Sequence, residues 1–492
     1  MTAVQPAPAG RAPAPAAGTV PDTGNGSRDA VPARRRNPLP KTAAGRIRAL
    51  TALVLVALLA ALGVTWRAVD DARSGVRVIG HDAGPQVVAT ADLYFQLTDM
   101  DAQLANALLL SDSTNLGTNR DQAIARYQQN RAKADDALLQ AAKLADDASE
   151  EATARDLLSG LGAYEQLAGQ ALLADRQSPH APGPPSRTVV QLYRSASDLM
   201  KLDLLPKAYN LTLDNGTLVR HTYVDKRAAV RNGTVRVIVT GGVLLALLIG
   251  LQVFLTVRFR RVLNPALALA TVLALALTAA GALVLTAQAD HLKKAKEQGF
   301  DSILALSRAR AIGNSANADE TRYLLDPERA DTYEQVFLSK SQSVLYLKAG
   351  NLSAYNDAVQ RQRTTTGFLG FLGDEAGHDE LPGQPAAMRQ VLADYRRYQA
   401  DDRAIRRLVG AGQREQAIRT RLGQGDGAAA RDFTAYDASI VKLARIHRAA
   451  FDDAVRAGDD GTAGWNLVLP AGGLLIAGLV LLGVRPRLAE YR

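Results

Sequence analysis

Residues able to carry out chemistry are few in this sequence, and their spacing matches no known catalytic arrangement. The six histidines are scattered without HExxH or comparable metal-ligand spacing; they are His81, His180, His221, His291, His378 and His447. Cysteine is absent, which excludes thiolate metal sites and cysteine nucleophiles. The GxSxG, GxxxxGKS/T and GxGxxG motifs are absent as well. We therefore expect a protein that is not an enzyme and that holds no metal or cofactor.

Three pairs of adjacent aspartates, at 135–136, 146–147 and 401–402, lie in predicted helices. Neighbouring positions on a helix point in different directions, so such a pair does not converge on one substrate. Solvated helix faces explain these charge runs better than catalytic carboxylates do.

Two groups of polar side chains interrupt the apolar seams of two predicted helices. The residues are Asp99, Asp101, Ser307, Asn314 and Thr321. The first two flank Met100, and the other three recur every seven residues. One interpretation is control of helix register by buried polar groups. The other is the lining of a ligand site, or a soft core that lets helices slide.

Four uncharged apolar segments are long enough to cross a bilayer as helices. They determine where the polar residues and the segments between them lie relative to the membrane. They cover 49–66, 237–257, 265–287 and 465–484. The first could also be a signal peptide, but TWRAVDDAR follows it instead of a small-residue cleavage site. None of the four contains Asp, Glu, Lys, Arg or His, so a proton or ion relay has no candidate residue, and a permease is not favoured.

The basic residues indicate the orientation of these spans. The tail 1–48, the link 258–264 and the stub 485–492 together carry 14 basic and 3 acidic residues. The positive-inside rule places all three in the cytoplasm, with both termini. Arg258, Arg260 and Arg261 of the link are then either a topology signal or a cytoplasmic contact. Trp66 and Trp465 fall at the outer ends of their spans, as interfacial anchors do. The net charge of +9 therefore indicates contact with membrane lipids rather than with nucleic acid.

The rest of the chain divides into a tail and two large extracytoplasmic segments. The Pro- and Ala-rich tail, 1–48, has a composition typical of disorder. Segments 67–236 and 288–464 show helical periodicity, and each is predicted to form an antiparallel four-helix bundle whose first and last helices continue the neighbouring spans. The sequence thus predicts an all-α integral membrane protein of the cell membrane, with span–bundle–span repeated in tandem.

Three stretches carry a resemblance to a known family. They are TADLYFQLTDMDAQLAN (90–106), LPKAYNLTLDNGT (205–217) and LALSRARAIGNSANADETRYLLDPERADTYEQ (304–335). With the four-span layout, they resemble an actinobacterial membrane protein associated with a glutamine-type binding lipoprotein and the serine/threonine kinase G. The resemblance implies that an extracytoplasmic lipoprotein senses amino acids and that the membrane protein relays this to the cytoplasmic kinase.

The expected function is therefore a non-enzymatic transmembrane relay that needs a partner on each side of the membrane. One alternative is a chemoreceptor-like sensor that binds a small molecule in its own bundle. Another is a structural protein of the cell envelope. A homodimer is a further alternative for its assembly.

Overall fold

The computed structural model describes residues 43–110, 120–144, 148–259, 264–377, 381–423 and 428–489. Helix makes up 91 % of the structure, and the described residues contain no strand. The expected all-α class is confirmed. Residues 1–42, most of the predicted disordered tail, lie outside the described residues, as do Arg260, Arg261 and residues 490–492.

The α-helices are numbered in chain order. They are α1 (Ala43–Arg77), α2 (Gly84–Leu110), α3 (Arg120–Leu144), α4 (Ala148–Gln177), α5 (Arg187–Leu199), α6 (Leu205–Phe259), α7 (Pro265–Lys293), α8 (Asp301–Leu325), α9 (Ala330–Val344), α10 (Leu352–Arg361), α11 (Phe371–Ala376), α12 (Gln384–Gly410), α13 (Arg414–Leu422), α14 (Ala429–Thr462) and α15 (Trp465–Ala489). Three π-helical turns join consecutive helices without a break; they are Val78–Ala83, Met200–Leu204 and Lys294–Phe300.

Four helices are long and apolar enough to cross a membrane, and each runs well beyond its apolar part. They extend over Ala44–Leu110, Val219–Val257, Pro265–Leu325 and Ala429–Pro486. The predicted four spans all fall inside them. No proline lies between the third span and α8, whereas the first long helix continues through Pro85, which lies in the first turn of α2 directly after the π-helical turn Val78–Ala83. Each span is therefore one end of a helix that also builds the extramembrane part.

The spans pack as a ring in which α1 contacts α6, α6 contacts α7, α7 contacts α15, and α15 contacts α1. Small residues let these helices approach closely. A Cβ at Gly241 would overlap the side chain of Thr278, and one at Gly473 would overlap Leu62. Between α6 and α7, Gln252 donates a hydrogen bond to Thr271 (2.7 Å).

The extramembrane segments consist of more helices than the sequence pattern predicts. In the first segment, α2 packs against α3 and α6, and α4 packs against α5. In the second, α8 packs against α9 and α14, and α14 also packs against α12. The short helices α10, α11 and α13 pack against these longer ones and were not predicted. The four-helix bundles and the tandem duplication stay predictions.

The two extramembrane segments pack against each other, chiefly through α2 and α8. One apolar core includes Leu97 and Leu108 of α2 together with Leu324, Leu325 and Ile418 of the second segment. Both segments therefore lie at the same end of the spans and form a shared core. This interface is the part of the fold in which the predicted polar residues lie.

We expect Gly241→Ala to lower the free energy of unfolding by about 1–3 kcal/mol, because the new methyl group would push α6 away from Thr278. The adjacent Gly242 faces open space, so Gly242→Ala should be neutral or stabilising by up to about 1 kcal/mol through helix propensity. Thermal unfolding in detergent, followed by tryptophan fluorescence, measures both. Equal melting temperatures for the two variants would contradict the proposed close crossing of α6 and α7.

Candidate functional site: a polar interface between the extramembrane segments

The structure brings the predicted polar residues of two separate helices into one interface. Asp99 and Asp101 lie on α2, and Ser307, Asn314 and Thr321 lie on α8, which packs against it. Thr321 is fully buried and donates a hydrogen bond to Asn106 of α2 (2.9 Å). Asn314 is also buried, and its amide lies beside the carboxylate of Asp99. The seven-residue spacing on α8 keeps its three polar residues on the face that meets α2.

Ser307 lies farther along the same face and takes no part in this hydrogen-bonded group. It is half-buried and lines a narrow crevice with Ala91 and Tyr94. It therefore contributes a small side chain to the helix contact.

The centre of the interface is a buried ionic network around Arg322. Its guanidinium forms ion pairs with Asp101 of α2 and with Asp319 one turn earlier on α8. It also donates a hydrogen bond from Nε to the hydroxyl of Tyr193 (3.0 Å). The side chain of Arg322 is only 1 % exposed, and those of both aspartates are fully buried. Sequence reasoning found Asp101 but missed its partner, since the two residues are 221 positions apart.

Two hydroxyl groups of the first segment also donate hydrogen bonds to the carboxylate of Asp101. Tyr164 of α4 donates to Oδ1 (3.2 Å), and Ser197 of α5 donates to Oδ2 (3.0 Å). Burial, and then the negative charge of Asp101, raise the pKa of Tyr164 well above its usual value. The tyrosine therefore remains a hydrogen-bond donor throughout the physiological pH range.

Two lysines add positive charge to the network through Asp319. Lys340 of α9 contacts its Oδ2 (2.5 Å), and Lys201 approaches its Oδ1 (3.5 Å) from the π-helical turn Met200–Leu204. Burial alone would raise the pKa of Asp319, but Lys340, Arg322 and Lys201 outweigh it and hold the pKa well below its usual range. Burial lowers the pKa of Lys201 to about 8 and also lowers that of Lys340. Three cations thus share two carboxylates.

A second set of ion pairs surrounds the buried network at its more exposed edge. Arg194 of α5 donates two hydrogen bonds to Asp326, at 2.8 and 2.5 Å, and one to Glu328 at 2.8 Å. Arg329 contacts Asp198 at 3.2 Å. All of these pairs connect α5 to the link between α8 and α9. The polar interface therefore involves three helices of the first segment, α2, α4 and α5.

A cleft of about 350 Å³ opens beside the network, between α2 and α3 of the first segment and α8, α13 and α14 of the second. Six amide side chains line it: Gln103, Asn106, Gln129, Asn130, Asn314 and Asn317. Asp99 also lines it and accepts hydrogen bonds from Gln103 (3.2 Å) and Asn130. Burial raises the pKa of Asp99, although the bonds from these amides partly oppose that effect. Two residues predicted as a ligand lining, Asp99 and Asn314, are thus found in one cleft.

The remaining predicted residues lie away from this interface. Trp66 is 47 % exposed on α1, whereas Trp465 is 8 % exposed and packs near Gly281 of α7. Arg258 lies in α6, and the structure describes its backbone but not its side chain. Arg260 and Arg261 lie outside the described residues. The interpretation of Asp401–Asp402 as a solvated face was wrong for Asp402, which is buried and contacts Arg406 (2.9 Å).

The sequence of the first segment matches a known family. The family described as Actinobacterial sensor domain matches residues 75–224, a range that includes Asp99, Asp101 and Tyr193 but not Arg322. No curated protein matches the chain. No solved structure matches it either. Similarity to this sensor domain, with four apolar helices, supports a multi-pass membrane protein with a sensing or signalling role.

We expect Arg322→Met to destabilise the protein by about 3–5 kcal/mol, because Asp101 would remain buried without a cation. The matched control is Arg329→Met, which removes an exposed pair and should change stability by less than about 1 kcal/mol. Denaturant titration of both variants in detergent gives the comparison. If they are equally stable, the buried network does not hold the segments together.

The pKa of Lys201 predicts how stability depends on alkaline pH. Between the folded pKa of about 8 and the usual 10.5, the unfolded chain binds more protons, so stability should rise with pH. The contribution of this residue is at most about 1.4 kcal/mol per pH unit. Lys201→Met should remove it, which flattens the curve of melting temperature against pH between 8 and 10. A variant whose curve is as steep as that of the wild type would contradict the assignment.

Proposed function

We propose that the protein is a non-enzymatic transmembrane relay in which a change at the interface between α2 and α8 is carried across the membrane. The observation that supports this most directly is helix continuity. The helix Ala44–Leu110 contains α2 and the first span, and the helix Pro265–Leu325 contains α8 and the third. The pair Asp101–Arg322 joins these two helices in the buried interface. A relative movement of α2 and α8 is therefore also a relative movement of two spans.

Two π-helical turns lie where such a movement could be accommodated. Val78–Ala83 separates α1 from α2, and Lys294–Phe300 separates α7 from α8, so both lie between a span and the polar interface. The two turns contact each other, and α14 packs against both. π-helical turns occur frequently at functional sites, since they change the register of a helix by one residue. Their similar placement in both halves supports a coordinated shift.

The partners of this relay are proposed from the resemblance of the sequence. An extracytoplasmic amino-acid-binding lipoprotein would contact the extramembrane segments, and a cytoplasmic serine/threonine kinase would contact the basic link that contains Arg258, Arg260 and Arg261. A partner shifts the balance between two arrangements only through its different affinity for them. In this proposal the N- and C-termini are cytoplasmic, as the positive-inside rule predicts.

A second candidate function is direct sensing of a small molecule. The cleft between the two segments favours it, because any occupant would contact α2 and α8 together. The two functions share one transmission route and differ in what acts on the interface.

A unique disulfide tests the relay, since the natural chain has no cysteine. We expect Asn106→Cys combined with Thr321→Cys to cross-link α2 to α8, because the two side chains are in contact. The locked protein should insert normally but lose its solute-dependent effect on kinase activity in cells. Each single-cysteine variant, at the same membrane level, is the matched control and should keep most of the response.

Two outcomes would overturn the proposal. One is a verified cross-link with an unchanged response, which would show that α2 and α8 need not move. The other is an unchanged kinase output when the whole gene is deleted, which would remove the kinase partner and favour a structural role.

A further inference from the structure

We propose that the cleft between the two segments binds a small zwitterion, with an ammonium group on Asp99 and a carboxylate on Arg126. This adds a ligand to the proposed relay, and its test needs neither of the proposed partners.

The carboxylate of Asp99 forms no ion pair among the described residues, although the positive charge of Arg126 is near enough to lower its pKa. Its hydrogen-bond donors, Gln103 (3.2 Å) and Asn130, are neutral amides. Asp101, only two positions away on α2, has a full ion pair with Arg322. A partly buried carboxylate is stabilised most by a cation that also donates hydrogen bonds. A ligand ammonium group would supply both.

An unsatisfied acceptor lies in the same cleft. The side-chain Oδ1 of Asn317 is buried and accepts no hydrogen bond within the described part of the chain. An ammonium group has three donors, so it could bond to Asp99 and to a neighbouring acceptor at once. Together with the carboxylate of Asp99, this acceptor favours an amine. The buried Nδ2 of Asn314, which has no hydrogen-bond partner among the described residues, is available to an acceptor group of the same ligand.

Charge complementarity identifies the second group of the ligand. Of the other charged residues in the cleft, Arg421 pairs with Glu320 (3.1 Å), and Asp437 pairs with Arg310 (2.6 Å). Arg126 is exposed and forms no ion pair among the described residues, although its charge acts on Asp99 of the same cleft. A free guanidinium is well suited to bind a carboxylate through two parallel hydrogen bonds.

The size and composition of the cleft limit the rest of the molecule. Its volume of about 350 Å³ is at the lower end for small-molecule sites. Phe95 and Phe433 also line it and can cover a short methylene chain. A bound zwitterion would contact α2 and α3 on one side and α8 and α14 on the other, so it would favour the arrangement described here, in which the two segments pack together.

Isothermal titration of the full-length protein in detergent, at low salt and pH 7, tests the proposal. The probes are glycine, 3-aminopropanoate and 4-aminobutanoate, which differ in the distance between their charges, with propylamine and propanoate as single-charge probes. We expect at least one zwitterion to bind and both single-charge probes to bind at least about tenfold more weakly.

Three variants make the test specific. Asp99→Asn and Arg126→Gln should each weaken zwitterion binding at least about tenfold. Asp136→Asn, on the exposed face of α3, is the matched control and should leave binding unchanged. Arg126 is exposed, so its variant tests the site without disturbing the core.

The proposal is overturned if no zwitterion binds the wild type, if Asp99→Asn binds as tightly as the wild type, or if propylamine binds as tightly as every zwitterion. These results are independent of the disulfide test. Binding with an unchanged response in the cross-linked protein would retain the ligand site and reject the relay, whereas a lost response without binding would do the reverse.

Discussion

The fold of the extramembrane part depends on one constraint, the burial of Arg322. An arginine away from water is tolerated only where anions and acceptors surround it, and here these come from both segments. Asp101 belongs to α2, Tyr193 to α5, and Asp319 to the same helix as Arg322. Separating the two segments would expose these groups to water or leave them without their ionic and hydrogen-bond partners. The two long helices that contain α2 and α8 are therefore coupled to each other through this network, and so are the spans that continue them.

The sequence was sufficient to predict those features of the fold that depend on local periodicity. Length and apolarity located the four spans, and heptad spacing placed Ser307, Asn314 and Thr321 on one helix face. Periodicity shows which face of a helix is buried but not which helix covers it. For this reason Asp101 was recognised without Arg322, and the two polar seams were assigned to separate bundles. The burial of Asp402 was not predicted for the same reason, since residues that pack beside it lie on helices distant in the sequence. The short helices α10, α11 and α13 have too few turns to show a period.

The interface between the two segments extends beyond the residues that match the sensor-domain family. Residues 75–224 resemble a sensor domain, yet the cation that neutralises Asp101 within that range is Arg322, nearly one hundred residues beyond it. The sensor-like segment of this chain is thus completed by the second extramembrane segment. Two of the three stretches that carry the sequence resemblance, 90–106 and 304–335, contain the residues that face each other here. The features by which the chain resembles a known family are therefore concentrated at the contact between its halves.

The length of the membrane-crossing helices determines what kind of motion can pass along them. A helix of 67 residues is about 100 Å long, and the part beyond Trp66 accounts for about 65 Å of this. If such a helix pivots near the membrane, a tilt of about 3° moves its far end by about 3 Å, so a small displacement at the tip is reduced to almost nothing at the bilayer. A translation along the helix axis is transmitted without that reduction. Geometry therefore favours axial sliding or rotation of Ala44–Leu110 over bending as the form in which a signal would reach the opposite face of the membrane.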